Sequence, residues 1–282
     1  GADEIEVRIE AAGLNFADVV SSLGLVDETD SGTGQVGYGC AGRVVRTGGR
    51  VEGFGAGERV VLFDPKGRCF GSYTTTSKHL ACPIPEALSI EQAATLPAAF
   101  MTVYFGLIHE ANLQAGERIL IHSASGGVGH AAVGLARAVG AEIYATAGTE
   151  AKRDYLRREL GIERVSDSRS LDFVDAIEEW TDGEGVDVVL NTLTGEALRR
   201  GIELLRPLGR FVDLSKADMN EDDHLDLRPF GRSISYVGVD ITRVSAHRPT
   251  LIGQMWERVM AMLEAGDIAP IPIDSSFPVS EV

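Results

Sequence analysis

The residues best suited to chemistry lie in a glycine-rich turn between an apolar run and a small-residue helical pattern. The apolar run is Ile119–His122, and the turn reads Ser-Ala-Ser-Gly-Gly-Val-Gly over residues 123–129. A strand that enters a helix through such a turn presents the N–H groups of the helix N-terminus to phosphate. Gly126 would let the backbone approach a pyrophosphate, and Gly129 would let the helix pack close to the strand. The predicted dinucleotide contacts are Ser125, Gly126, Gly127, Val128 and Gly129; a tight turn without a ligand is the alternative.

The second strand of this unit indicates which dinucleotide is bound. Glu142–Ala147 ends without the acidic residue that bonds the ribose 2′-hydroxyl in NADH sites. The cations Lys152 and Arg153 follow, and they could bind a 2′-phosphate or simply be solvated helix charges. Glu150 lies about 20 residues after Gly129, where an NADH site has its acidic residue. It is better explained as a negative charge in the first turn of a helix capped by Thr149, where the helix dipole favours it. We therefore predict NADPH rather than NADH. The predicted contacts here are Thr146, Gly148 and Lys152.

Two different patterns divide the chain and predict an α/β fold. Residues 1–95 are rich in glycine and short β segments, which is typical of a small β-domain with tight turns. Residues 96–265 alternate apolar strands with helical patterns, which predicts a doubly wound parallel sheet covered by helices. The predicted strands of this second domain are Arg118–His122, Glu142–Ala147, Val186–Asn191, Gly209–Leu214 and Ser233–Val239. The predicted helices are Ile90–Ala111 (interrupted at Pro97), Gly127–Val139, Glu150–Leu160, Asp172–Trp180, Glu196–Leu205 and Arg248–Glu264.

Composition excludes several kinds of partner. The chain has 282 residues, 44% of them apolar, and a formal net charge of −16. So acidic a chain is a poor match for nucleic acid or an anionic membrane surface. Its three cysteines are scattered and no apolar run is long enough to cross a bilayer, which favours a cytoplasmic location with reduced thiols. The first and last residues look like the ends of a piece excised from a longer protein.

Several segments resemble the enoylreductase domain of type I polyketide and fatty acid synthases, within the medium-chain dehydrogenase/reductase superfamily. The segments are Ala11–Val19, Ile121–Gly129, Asp167–Phe173, Gly185–Leu193 and Gly209–Asp218. The resemblance covers nearly the whole chain, and the last three segments are specific to megasynthase reductases. It implies a GroES-like β-barrel domain over residues 1–95 and an NADPH-binding Rossmann domain over residues 96–265. Residues 266–282 would return to the β-domain, although the family's last helix and strand are missing.

The resemblance implies a reaction as well as a fold. The family reduces an α,β-unsaturated thioester on an acyl carrier protein, with hydride added at the β-carbon and a proton at the α-carbon. Expected partners are the carrier protein with its phosphopantetheine-linked substrate and the neighbouring synthase domains; a homodimer is left open. A free-standing NADPH quinone oxidoreductase of the same superfamily is one alternative. A catalytically idle domain that serves as a scaffold in a synthase is another.

The same resemblance assigns roles to individual residues. Lys216 follows a strand end and would donate the proton or stabilise the enolate, with Asp240 as its acidic partner. Asn15 and Thr102 would lie near the nicotinamide, with Asn15 in the cleft between the domains. Each of the four residues also has an explanation without a catalytic or binding role. Lys216 could be a surface lysine, Asp240 and Asn15 could be turn residues, and Thr102 could bond the backbone of its own helix. The remaining expected cofactor contacts are Arg169 at the adenosine phosphate and Asn191 and Leu193 at the nicotinamide ribose.

No metal site is predicted. Zinc alcohol dehydrogenases of this superfamily use a Gly-His-Glu segment, whereas residues 37–42 here read Gly-Tyr-Gly-Cys-Ala-Gly. The six histidines have no ligand spacing. His122, at the end of a buried strand, is expected to be packed or hydrogen-bonded rather than catalytic.

Overall fold

A computed structural model describes residues 1–24, 36–215 and 224–281. Its internal contacts separate two compact units, one made of Gly1–Met101 with Ile241–Val282 and one made of Thr102–Asp240. The domain boundaries expected from the sequence, at residues 95 and 265, stay a prediction. None of the helices among the described residues is long and apolar enough to cross a membrane.

The first unit is built on a five-stranded antiparallel sheet. Its strands are β1 (Glu4–Ala12), β2 (Gly39–Thr47), β3 (Arg59–Phe63), β4 (Tyr73–Ser77) and β5 (Ala81–Pro83). They lie in the order β4-β1-β2-β3-β5. β1 is irregular beside β2 at Glu6/Val7 and again at Ile9/Ala11. Alternate residues of the strands turn inward, and Ile5, Val7, Val44, Val60 and Leu62 form the core with Cys40 and Cys69.

Helices close the first unit around this sheet. They are α1 (Phe16–Ser22), α2 (Ile90–Ala94) and α3 (Pro97–Val103), with a 3₁₀ turn at Lys78–Leu80. Helix α2 packs on β1 and β2. Gly39 is required where β2 meets α3, because a side-chain carbon there would lie 2.6 Å from Cβ of Pro97.

The second unit is built on a six-stranded parallel sheet. Its strands are β6 (Arg118–Ile121), β7 (Glu142–Ala147), β8 (Val165–Asp167), β9 (Val186–Asn191), β10 (Leu205–Asp213) and β11 (Ser235–Gly238). Their order is β11-β10-β9-β6-β7-β8. The chain places β7 and β8 on one side of β6 and then crosses to the other side, where β9 lies next to β6 and is followed by β10 and β11. The carboxyl ends of β6 and β9 therefore form the switch point where ligands bind in open α/β sheets. The predicted doubly wound α/β fold is confirmed.

Helices connect the strands of the second unit. They are a π-helix (Tyr104–Glu110) that continues α3, then α4 (Gly127–Val139), α5 (Glu150–Arg158), α6 (Asp172–Trp180), α7 (Glu196–Glu203) and a 3₁₀ turn at Arg228–Arg232. The bounds of α4 and α6 are those predicted from the sequence. The predicted helix over residues 90–111 consists instead of three successive pieces. Gly106 in the π-helix packs closely on the sheet, because a side-chain carbon there would lie 2.8 Å from Cγ1 of Val212.

The chain finally returns to the first unit through two helices, α8 (Ile241–His247) and α9 (Pro249–Ala265). Helix α9 packs on the 3₁₀ turn at Lys78–Leu80 and on β5. It buries Leu251, Ile252, Met255, Trp256, Val259 and Met260. A short 3₁₀ turn at Val279–Glu281 follows.

Candidate functional site

The glycine-rich turn at residues 123–129, called the phosphate loop below, follows the buried strand β6 and leads into helix α4. Gly126 is the N-cap residue of α4, with extended backbone angles (φ −86°, ψ 173°), and no side chain caps this helix end. Gly126 and Gly127 are exposed. The first N–H groups of a helix have no intrahelical partner, and the helix dipole adds partial positive charge beside them. The loop therefore offers an anion the donors that the sequence predicts.

Gly129 allows α4 to lie against the strand that precedes it. A side-chain carbon on Gly129 would lie 2.4 Å from the carbonyl carbon and oxygen of Ala124. Ala124 stands where many such loops have their first glycine. The left-handed residue of this turn is Ser123 (φ 54°), so alanine at position 124 is not strained. The N–H of Ala124 donates to the carbonyl of Thr146 at 2.9 Å, which ties the loop to β7.

Hydroxyl groups join the strand ends at the switch point. The Thr192 hydroxyl lies 2.9 Å from that of Ser123, which connects the segment after β9 with the loop after β6. Thr146 is fully buried, and its Oγ1 lies 3.0 Å from Nδ1 of His122 and 3.4 Å from the backbone nitrogen of Ser123. The hydroxyl of Thr146, a predicted cofactor contact, therefore faces the protein interior.

Two cations, Lys152 and Arg169, lie in the segments that follow β7 and β8. Gly148 lies so close to the loop after β8 that a side-chain carbon there would be 2.9 Å from Nε of Arg169 and 3.4 Å from Oγ of Ser168. Lys152 and Arg169 are exposed. Neither forms an ion pair with any residue in the described part of the chain. The sequence offers Lys152 and Arg153 to a 2′-phosphate, and the family resemblance adds Arg169 at the adenosine phosphate.

The neighbouring charges are engaged within the protein. Thr149 caps α5, as predicted, and its hydroxyl accepts from the N–H of Lys152 at 3.3 Å. Arg153 pairs with Glu150 at 2.7 Å and with Asp167 at 2.8 Å. The hydrogen bond from Arg153 lowers the pKa of Glu150. Arg153 is therefore occupied, and Glu150 acts as the helix-terminal acid that the sequence analysis favoured.

The ends of β9 and β10 are tied together by a buried carboxylate that sequence reasoning missed. Oδ1 of Asp213 accepts from Nδ2 of Asn191 at 2.8 Å and from the N–H of Ser215 at 3.0 Å. Its Oδ2 accepts from the hydroxyl groups of Ser215 and Tyr236 at 3.1 and 2.5 Å. Both residues of the Asn191–Asp213 pair are fully buried. An acid at the end of the apolar run Phe211–Val212 was the available sequence signal.

The predicted residues at these strand ends have different partners. The amide of Asn191 also bonds the backbone of Leu193, with its nitrogen 2.7 Å from the Leu193 carbonyl. This amide is thus engaged with protein groups. Asp240 is half-buried and lies two residues beyond β11, whose Gly238 pairs with Asp213. Lys216 lies outside the described residues.

The remaining predicted site residues, Asn15, Thr102, Ser125 and Val128, are all half-buried. Asn15 directly precedes α1 in the first unit; its N–H donates to Oδ2 of Asp18 at 2.7 Å and its Nδ2 donates to the Gly13 carbonyl at 3.1 Å. The other carboxylate oxygen of Asp18 accepts from the N–H of Gly37 at 2.6 Å, which ties the two segments together. The hydroxyl of Thr102, the first residue of the second unit, bonds to no residue that the structure describes.

His122 is packed in the core, as expected from the sequence. It is 1% exposed, its ring meets that of Phe173 edge-on at 4.9 Å, and its Nε2 has no hydrogen-bond partner among the described residues. Burial lowers its pKa from 6.5 to about 3. The ring is therefore neutral, which excludes it as a proton donor near neutral pH.

Acid is expected to destabilise the protein through His122. Above pH 6.5 the ring is neutral in the folded and unfolded chain, so it contributes no pH dependence. Below that pH only the unfolded chain takes up the proton, so the free energy of unfolding falls by about 1 kcal/mol per pH unit until the pH approaches the folded pKa. Urea unfolding between about pH 5 and about pH 8 measures this slope. His122→Asn should make the slope shallower than that of the wild type, and His247→Asn, which replaces an exposed histidine that forms no ion pair with a described residue, is the matched control. Equal slopes in the wild type and His122→Asn would contradict the expectation.

No metal centre is visible in the part of the chain that the structure describes, where no group of three or more His, Cys, Asp or Glu residues could hold an ion. All three thiols of the first unit are free, and two of them, Cys40 and Cys69, are buried. The hydrogen bond between them, together with burial, raises the pKa of Cys69. These thiols behave as core residues.

Comparison with known proteins adds to this geometry. The family described as alcohol dehydrogenase GroES-like domain matches residues 1–110, and the family described as zinc-binding dehydrogenase matches residues 127–263. The chain is 43% identical over 271 residues to a phenolphthiocerol/phthiocerol polyketide synthase protein of Mycobacterium tuberculosis. That alignment covers 96% of this chain and 12% of the synthase protein. The chain thus spans only a small part of the length of this relative.

Two solved structures are similar as well. The crystal structure of CurK enoyl reductase superposes with a TM-score of 0.89 and 37% identity, and the match covers 99% of this chain and 85% of that one. The nucleotide-binding subdomain of the enoylreductase domain of PpsC from Mycobacterium tuberculosis superposes with a TM-score of 0.59 and 46% identity. It covers 61% of this chain and 96% of that one.

Proposed function

This chain belongs to the enoylreductase domains of polyketide synthases, within the medium-chain dehydrogenase/reductase superfamily, and we propose that it reduces α,β-unsaturated acyl thioesters with NADPH. The observation that carries the cofactor choice is the exposed Arg169, whose side chain lies against Gly148, together with the exposed Lys152 in the first turn of α5. They lack ion-pair partners among the described residues, and no carboxylate ends β7. A 2′-phosphate fits this site better than a 2′-hydroxyl does, because each cation can make a charge-assisted hydrogen bond to it.

The phosphate loop fits the other half of the dinucleotide. The uncapped N-terminus of α4 supplies N–H donors at residues 127–129, and Gly126 and Gly127 leave room for the backbone to approach a pyrophosphate. Both features lie at the carboxyl edge of one parallel sheet, beside the switch point between β6 and β9. Ser125 and Val128 complete the proposed loop contacts. The side-chain amide of Asn191 is engaged with Asp213 and with the backbone of Leu193. Asn191 would therefore contribute to the cofactor site by holding Leu193 in place.

The proposed chemistry divides between the cofactor and the protein. Bound in this site, NADPH supplies the hydride that the β-carbon of the enoyl thioester accepts. Electron density then moves onto the thioester oxygen as an enolate, and the α-carbon must take up a proton. We assign that proton, or stabilisation of the enolate, to the ammonium group of Lys216. Asp240 keeps the ammonium charged and oriented, while Asn15 and Thr102 position the nicotinamide and the acyl group.

The substrate and partners follow from the same proposal. The acyl group would arrive on the phosphopantetheine arm of an acyl carrier protein, and the chain would act among the neighbouring domains of a synthase. A homodimer, the cytoplasm as the place of action and the domain boundaries at residues 95 and 265 are further parts of this proposal.

Turnover of two substrate classes tests the proposal. We expect NADPH to be oxidised in the presence of a crotonyl-type thioester, with the saturated thioester as product, and not in the presence of a quinone. The checks are NADPH absorbance and mass spectrometry of the product. Turnover of the quinone alone would favour the free-standing quinone oxidoreductase. Tight NADPH binding without turnover of either substrate would favour an idle domain.

A further inference from the structure

His130 lies in the first turn of α4 and has both of its ring nitrogens engaged. Nδ1 lies 2.9 Å from the carbonyl oxygen of Gly126, which also accepts from the backbone N–H of His130 at 2.8 Å. Nε2 lies 3.0 Å from the hydroxyl group of Tyr155. A carbonyl only accepts, so Nδ1 carries the hydrogen; Nε2 of the neutral ring is then the acceptor, and Tyr155 donates to it.

This contact restrains the peptide between Gly126 and Gly127 in the phosphate loop. Gly126 and Gly127 are consecutive glycines without side chains to restrain them, and no side chain of the described residues caps the N–H groups of this helix end. Because a trans peptide is planar, its C=O and N–H bonds point in opposite directions. The hydrogen bond that holds the Gly126 carbonyl along the helix therefore holds the Gly127 N–H outward, where an anion at the helix N-terminus would accept it.

Tyr155 extends the restraint to the next helix. It lies on α5, three residues after Lys152, and its ring is 5.6 Å from that of His130. The loop proposed to hold the pyrophosphate and the helix that carries a cation proposed for the 2′-phosphate are thus joined through one imidazole ring.

We infer that His130 is a positioning residue for the dinucleotide: it presets the Gly127 N–H and couples the phosphate loop to helix α5. This inference rests on the proposed function, because it assumes that the loop binds NADPH. His130 does not touch the reacting atoms, so it should set cofactor affinity and leave the chemical step unchanged.

Three variants of the full chain separate the two hydrogen bonds. His130→Ala removes both; His130→Asn keeps an amide near the position of Nδ1 but does not reach Tyr155; Tyr155→Phe removes only the hydroxyl group. Since the net contribution of one hydrogen bond is modest, we expect the Kd for NADPH to rise about tenfold in the first variant and about threefold in each of the other two. The double variant His130→Asn/Tyr155→Phe should be no weaker than either single variant, because both remove the same bond.

Fluorescence titration measures Kd, and steady-state kinetics gives a second measurement. The inference requires that the His130 and Tyr155 variants have a higher KM for NADPH than the wild type, while their kcat and their KM for the enoyl thioester stay unchanged. His109→Asn, an exposed histidine in the same unit, should bind NADPH as the wild type does. Wild-type affinity in His130→Ala, or a lowered kcat at unchanged KM, would overturn the inference while leaving the proposed function intact. Failure of the wild type to bind either NADPH or NADH would overturn both.

Discussion

Replacing Lys152 and Arg169 together by glutamine is expected to raise the Kd for NADPH by about 10²–10³-fold. The Kd for NADH should change by less than about threefold, because NADH has no 2′-phosphate to lose a contact. Titration of the wild type and the variant with both nucleotides measures the difference. The wild type should prefer NADPH, and the variant should have little preference between them.

The size of this effect follows from the two cations. A hydrogen bond to a charged group contributes about 1.5–3 kcal/mol, and both side chains are exposed, so solvent screening keeps each near the lower figure. Together they supply about 3–4 kcal/mol, which is about 10²–10³ in Kd. The preference of the wild type for NADPH should therefore weaken as ionic strength rises.

Arg158→Gln is the matched control for this prediction. Arg158 lies on the same helix and its side chain is 78% exposed. If only the overall charge of this surface mattered, removing Arg158 would weaken NADPH binding nearly as much as removing Lys152. We expect no more than about a twofold change from this exposed residue. Parallel losses of NADH and NADPH affinity in the double variant would refute a 2′-phosphate site at Lys152 and Arg169.

The elements that position this site could be predicted because their signals are local. Glycines at fixed positions between an apolar strand and a small-residue helix place the start of α4 at Gly127, and the structure begins it there. Asp172–Trp180 has strong helical periodicity and its bounds agree as well. The three-residue strand β8 was missed, because so short a segment has no periodicity of its own.

The side-chain contacts of the site could not be predicted, because they join residues distant in sequence. In the sequence, Asp213 is a single acidic residue within a predicted strand, and nothing indicates its partners. In the structure it accepts hydrogen bonds from Asn191, Ser215 and Tyr236. The hydrogen bond between His130 and Tyr155 likewise spans 25 positions. Nothing in the local sequence distinguishes Arg153, which is held by Asp167, from Lys152, which forms no ion pair with a described residue. Local pattern identifies elements, whereas burial and partners depend on the packing of elements against one another.

Lys216→Ala is expected to lower kcat for enoyl thioesters by about 10²-fold while the Kd for NADPH stays within about twofold. The physical reason is that the enolate formed after hydride addition must be stabilised and protonated, and a neutral water molecule stabilises its negative charge less than a positioned ammonium group does. Asp240→Ala should lower kcat by about tenfold, because a carboxylate that acts through the lysine affects orientation rather than the proton itself. If it acts in this way, the double variant is no slower than Lys216→Ala alone.

α-Methyl enoyl thioesters provide the sharper measurement of that prediction. If Lys216 delivers the proton, the wild type produces one configuration at the α-carbon, and Lys216→Ala gives a mixture because water reaches the enolate from both faces. Lys66→Ala and Asp226→Asn, both at exposed positions, are the matched controls and should keep the wild-type rate and configuration. A wild-type rate and a single configuration in both Lys216→Ala and Asp240→Ala would remove the two residues from the mechanism and leave proton delivery to water. A reduced rate with a single configuration would confine Lys216 to stabilising the enolate, since the face of protonation would then be set by the pocket.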